Sequence, residues 1–116
     1  MEQAISYYQQ ALSIAQEIGD RRNEGDCLGS LGKAYADLGQ VDRAIQYYQQ
    51  ALAISQKIGD LRGEGNHLGN LGSAYYSQGQ VEQTRQYMEQ ALRIFEEIES
   101  PNAEKVRERL ESLKEK

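Results

Sequence analysis

At 116 residues, with 39% apolar and 27% charged side chains, the chain is sized for one soluble domain with a real core and is not composed like a disordered tail. A net charge of −5 argues against a phosphate-binding surface, because 13 Lys and Arg are scattered among 18 Asp and Glu. No apolar run approaches the roughly 20 residues of a membrane span, and Met1-Glu2-Gln3-Ala4-Ile5 lacks the basic-then-apolar order of a secretory leader. The expected compartment is the cytoplasm, with neither nucleic acid nor membrane as partner.

A period of forty organises the chain. Residues 4–43 align without a gap to residues 44–83, and about 25 of roughly 40 positions are identical. A third, more divergent start runs from Thr84 to Ile98, after which the register is expected to break.

In chain order, the first predicted element is a half-unit helix over 1–18, carrying Ile5, Tyr8, Leu12 and Ile18. These four are expected to lack the helix that would normally precede them, as in a piece of a longer array, and so to invite a second copy of the chain. A hairpin follows over 20–58. Asp20 is a fitting N-cap, Leu28, Leu31 and Tyr35 recur at helical spacing, and Gly39 supplies a left-handed stop. Its second helix carries Ala44, Ile45, Tyr48, Leu52 and Ile54, and Gly59 ends it.

The pattern repeats over 60–98, with Asp60 as the cap. Turns as short as Gly39-Gln40 force neighbouring helices antiparallel. Gly32 and Gly72 stand inside helices, where Gly costs about 1 kcal/mol relative to Ala. Their presence in both copies predicts close helix–helix approach, matched by the small Ala44 and Ala51. A last helix is predicted over 101–115, opened by Ser100-Pro101. It aligns Val106, Leu110 and Leu113 on one stripe and reads as a cap on the open end of the stack.

These residues resemble the tetratricopeptide repeat. Its pattern of Leu-Gly-x-x-Tyr followed by spaced Ala, aromatic and Ala stands here as Leu31-Gly32, Tyr35, Ala44, Tyr48 and Ala51. The next copy has Leu71-Gly72, Tyr75, Thr84, Met88 and Ala91. The forty-residue length is similar to the long repeats of kinesin light chains and spindle-orientation adaptors. The resemblance implies an all-α, right-handed superhelical stack of antiparallel hairpins that binds a protein or peptide segment in a concave groove lined by the first helix of each hairpin. Thr84 and Met88 depart from the family's Ala and aromatic, which predicts looser packing of the last hairpin.

Comparing the two copies finds a stripe of differences on the helix face that the resemblance assigns to that groove, and a similar stripe on the second helix (Ser6/Gln46, Ser13/Ala53, Glu17/Lys57) that it assigns to the outside. On the first helix of each hairpin, Leu28, Leu31 and Tyr35 fall within about 60° of one another. The positions that differ, Asp26/Asn66, Ser30/Asn70, Lys33/Ser73 and Asp37/Ser77, form a stripe on the opposite side. The Asn and Ser groups suit the backbone of an extended peptide. Tyr76 is a candidate aromatic anchor, and Arg22 and Arg62 are candidates to pair with a ligand carboxylate, or with Glu24 and Glu64.

Catalysis is not expected. His67 is the only histidine and Cys27 the only cysteine, at equivalent places one repeat apart, with no third group to orient a base. The sequences LGSLG and LGNLG lack the Lys-Ser/Thr ending of a phosphate loop and lie within helices. No cofactor or metal is implied.

Overall fold

The computed structural model describes residues 2–114. Met1 and Glu115, at the ends of the first and last predicted helices, lie outside that range. Six helices follow in order: α1 (Glu2–Ile18), α2 (Arg21–Asp37), α3 (Val41–Ile58), α4 (Leu61–Ser77), α5 (Val81–Glu97) and α6 (Asn102–Lys114).

Local chemistry sets the boundaries. The carboxylates of Asp20 and Asp60 accept from the backbone N–H of Asn23 and Gly63, satisfying donors that the first helical turn leaves open. Gly19, Gly39, Gly59 and Gly79 all carry φ between 72° and 81°, the left-handed conformation that stops a helix at little steric cost. Ser100 acts as the opening cap of α6 through a 3.1 Å hydrogen bond from Asn102 N to its hydroxyl, and Pro101 falls in the turn just before the helix.

The forty-residue register persists one joint further than the side chains suggest. Glu99 stands where Gly19 and Gly59 stand, and its φ is 55°, the only positive value at a non-glycine position among the described residues. The backbone bond Ser100 N to Phe95 O, 2.8 Å, copies Asp20 N to Ala15 O and Asp60 N to Ser55 O, both 2.9 Å. The turn is thus held by its hydrogen bonds even where the residue disfavours it.

Each helix packs antiparallel on the next, and the molecule measures 45 × 31 × 19 Å. The smallest dimension is about two helix diameters, so the stack is two layers deep. One layer holds α2, α4 and α6, the other α1, α3 and α5. Among the described residues, α2 and α4 pack directly on each other, whereas α1 with α3, α3 with α5 and α4 with α6 do so marginally at most. The layer of α2, α4 and α6 is here called the inner face.

The core runs through the joints. Leu31, Tyr35, Ala44, Ile45, Tyr48, Leu71 and Ala74 form one buried cluster across α2, α3 and α4. A second joins Leu68, Met88, Ala91 and Phe95 to Ala103 and Val106 of α6. Gly32 meets its expected neighbour: a methyl group there would stand 2.7 Å from the Tyr48 ring and 3.2 Å from the Ala44 carbonyl oxygen. Burial, with Asp37 adding, pushes the Tyr48 phenol up to about 12, so it remains a neutral packing group. Tyr35 stacks on Tyr47 and Tyr75 on Tyr87, each pair within about 5° of parallel, binding the two helices of each hairpin.

Two expectations are corrected. The last hairpin is not looser: Thr84 and Met88 are 2% and 3% exposed, and the Thr84 hydroxyl donates to the Gln80 carbonyl at 2.9 Å, so its polarity is satisfied within its own helix. On α1, Ile5, Tyr8 and Leu12 are half-buried against the first core cluster. The open face carries Tyr7, Ile14 and Ile18 instead, 57–70% exposed. Only Ile18 was placed there by the sequence.

Candidate ligand groove

The stripe of differing residues on α4 faces α6 across a cleft. Asn66, Asn70 and Ser73 line one wall, Asn102, Lys105 and Arg109 the other, and Met88, Phe95 and Val106 supply apolar surface, enclosing about 220 Å³. Gly69 lets the cleft run close to the α4 backbone, since a methyl there would meet nothing within 4 Å. Beyond Ser73 the cleft continues into a second space of about 380 Å³ lined by Tyr76, Ser77, Thr84, Met88, Ser112 and Leu113. Ser73, Met88 and Arg109 belong to both, so the two form one groove along α6. Arg109 Nη1 donates to Ser73 Oγ at 3.1 Å, bridging the two walls where the two parts meet.

The other predicted residues are spread along the inner layer. Asp26 and Ser30 line a separate cleft of about 370 Å³ between α1 and α2, with Asn23, Cys27 and the apolar face of α1. Lys33 and Asp37 are exposed on the same helix. Arg22 does not pair with Glu24: its Nη1 lies 3.2 Å from Asp60 Oδ2, tying the start of α2 to the cap of α4, while Glu24 pairs with Arg21. Arg62 is exposed, and forty positions on from Asp60 stands Ser100, which has no charge to offer it. Asn102, Lys105, Arg109, Ser112 and Leu113 were missed because α6 reads as a cap. Its place in the inner layer makes it a wall as well.

Among the described residues no hydrogen bond joins His67 to Cys27. The His67 ring packs on Gly29, where a methyl group would stand 2.8 Å from Cε1, and fills the joint between α4 and α2. Burial raises the Cys27 thiol, with Asp26 and Asp20 adding to the effect, which is opposite to the activation a nucleophilic thiolate needs. Among the described residues no group of three or more His, Cys, Asp or Glu is arranged to hold a metal ion, and no helix is long and apolar enough to cross a membrane.

The His67 environment has a pH consequence. Nδ1 is buried without a hydrogen-bond partner. Burial pushes the imidazole below its ordinary 6.5, and Asp26 and Asp60 only partly oppose this. The unfolded chain therefore takes the proton first. The contribution is fully present above about pH 6.5 and declines as the pH falls from there toward the folded-state value. Thermal melts are expected to show Tm dropping between about pH 7 and pH 5, above the range where most carboxylates titrate. The drop should shrink in His67→Gln; an unchanged slope in that variant would assign it to other groups.

Comparison with known proteins agrees with the architecture. The sequence pattern of the tetratricopeptide repeat matches residues 1–57, and a second pattern with the same description matches residues 66–102. No curated protein sequence matches. Among solved structures, BtubC (BKLC) from P. vanneervenii superposes with a TM-score of 0.86 at 23% identity, covering 97% of this chain. The chain spans about half of that protein, 48% of its length, and the likeness is one of fold.

Proposed function

We propose that this chain, which belongs to the tetratricopeptide-repeat family, holds an extended segment of a partner protein against the inner face formed by α2, α4 and α6, in the cytoplasm and without a cofactor. Tetratricopeptide repeats generally mediate protein–protein interaction and are typically non-enzymatic scaffolds. The observation that carries the reading is the groove itself: amides and hydroxyls of Asn66, Asn70, Ser73 and Ser77 stand along one apolar-floored channel. Such groups can pair with a peptide backbone while Met88, Phe95 and Tyr76 take up side chains. Asp26, Ser30, Lys33 and Asp37 continue the face toward the first hairpin, and Arg22 and Arg62 flank its entrance.

Capture from native lysate tests this with two double variants, Asn70→Ala with Lys33→Glu on the inner face and Gln46→Ala with Lys57→Glu on the outer one. The expected outcome is a partner lost with the first pair and kept with the second. Equal retention by both would remove the inner face from consideration.

A second reading, self-assembly through α1, is favoured by one observation. Tyr7 and Ile14 are the counterparts of Tyr47, which stacks on Tyr35, and of Ile54, which packs on Gly25. The open face is therefore one that elsewhere in the molecule receives a helix. Light scattering over a range of concentrations should show a mass above the monomer that Ile14→Glu abolishes; a constant monomer mass ends this reading.

A further inference from the structure

The groove along α6 has a charge unlike the rest of the molecule. In a chain with 18 acidic residues, the residues lining its two connected parts include no Asp or Glu and two cations, Lys105 and Arg109. Neither cation is in an ion pair among the described residues. On the other side of α6, Arg107 is held by Glu96 and Glu104 at 2.7 and 2.8 Å, and Lys114 by Glu111. The cleft there mixes Arg85, Arg93, Arg107 and Lys114 with Glu89, Glu96 and Glu111. One side of the helix is neutralised internally, whereas the groove side presents positive charge that no described residue pairs with.

Spacing adds to charge. Lys105, Arg109 and Leu113 succeed one another at intervals of four along α6, so each step is about 6 Å. Alternate residues of an extended strand point the same way and are roughly 6.6 Å apart. A strand lying along α6 therefore brings every second side chain level with one of these three. The third position, beside Leu113, is the part of the groove lined by Tyr76 and Met88. Asn66 and Asn70 on the facing wall are placed to pair with the backbone of such a strand.

We propose that the segment recognised in this groove is an extended stretch of partner protein with acidic side chains on two alternate residues and an apolar side chain on the next alternate residue. The carboxylates meet Lys105 and Arg109, and the apolar group enters beside Leu113. This rests on the inner-face reading above and narrows it to a ligand chemistry. Ser73 holds Arg109 in place before the ligand arrives, so the guanidinium already reaches across the groove where the strand would pass.

The test uses short fluorescein-labelled peptides, amidated at the C-terminus, reading Glu-Ser-Glu-Ser-Leu or the reverse order. Versions with Gln or Lys in place of Glu and one with a free terminal carboxylate complete the set. Fluorescence anisotropy is expected to show one order of the amidated Glu peptide binding about tenfold or more tighter than its Gln version. The advantage should erode with salt and vanish in Lys105→Gln with Arg109→Gln, both exposed positions whose helicity circular dichroism can check. Equal binding of Glu and Gln peptides, a preference that survives the double variant, or binding only with the free terminal carboxylate overturns the proposal. If Glu and Gln peptides bind alike and Asn70→Ala weakens both, the groove stands and its acid preference falls. If no peptide binds and the lysate partner is indifferent to Asn70→Ala, both readings fall together.

Discussion

Replacing Leu71 by Ala is expected to lower the free energy of unfolding by about 2–5 kcal/mol. Leu71 is fully buried where α2, α3 and α4 meet, within the cluster that also holds Leu31, Tyr48 and Ala74. Rigid helices surround it, so the space left by the lost side chain can collapse only partly, and both the transfer and the cavity contributions are forfeited. Domains of this size commonly have about 5–15 kcal/mol in total, and the variant should melt far earlier or be unfolded at room temperature. Leu38, 42% exposed in the turn after α2, is the control: Leu38→Ala should change stability by no more than about 0.5 kcal/mol. Urea titration of the two side by side decides the matter. Similar midpoints would mean that the joint between the hairpins does not hold the molecule together.

The second large effect is a reversal of sign between two glycines. Both Gly32 and Gly69 lie inside helices, so on intrinsic preference alone either change to Ala should stabilise by about 1 kcal/mol. At Gly69 a methyl meets open space, and that gain should appear. At Gly32 it would stand 2.7 Å from two ring carbons of Tyr48 and 3.2 Å from the Ala44 carbonyl oxygen. The tyrosine is itself buried and cannot swing clear, and the backbone of α3 lies just behind it. Overpacking of this kind costs about 1–3 kcal/mol, which exceeds the helical gain. Denaturant midpoints for Gly32→Ala and Gly69→Ala should therefore move in opposite directions from the wild type. A shift of both to higher denaturant would show that α2 and α3 are further apart than this contact implies.

Whether a feature was legible in the sequence depends on whether it repeats. Asp20 and Asp60, the stops at Gly39 and Gly59, and Leu31-Gly32 with Leu71-Gly72 were legible because two copies show which residues the backbone demands. The joint at Glu99 was not: the residue changed while the conformation stayed, and a hydrogen bond between Ser100 N and Phe95 O leaves no trace in side-chain identity.

The open face of α1 was misjudged for a different reason. That helix is apolar on two sides, and nothing in its spacing says whether Tyr8 and Leu12 or Tyr7 and Ile14 turn toward α2. The groove was half legible. Asn66, Asn70 and Ser73 emerged from comparing copies, but α6 has no copy to compare with, and the contact between Arg109 and Ser73 joins residues 36 apart across a break in the repeat. The Arg22–Asp60 pair escaped for a similar reason, since the nearer Glu24 was the more obvious partner and belongs to Arg21.

The joint at residues 99–100 also bears on how such a molecule can change in length. Three times the chain leaves an outer-layer helix, at residues 19–20, 59–60 and 99–100, and each time it does so through one residue in the left-handed conformation, the same backbone bond and a side-chain cap on the next helix. A segment that enters at one joint and leaves at the next starts and finishes with the chain in an equivalent local geometry. Forty residues can accordingly be spliced in or cut out between joints without redirecting the helices downstream. Each such edit would lengthen or shorten the inner face by one hairpin while α6 still packs at its end, so the molecule is a ruler graduated in hairpins.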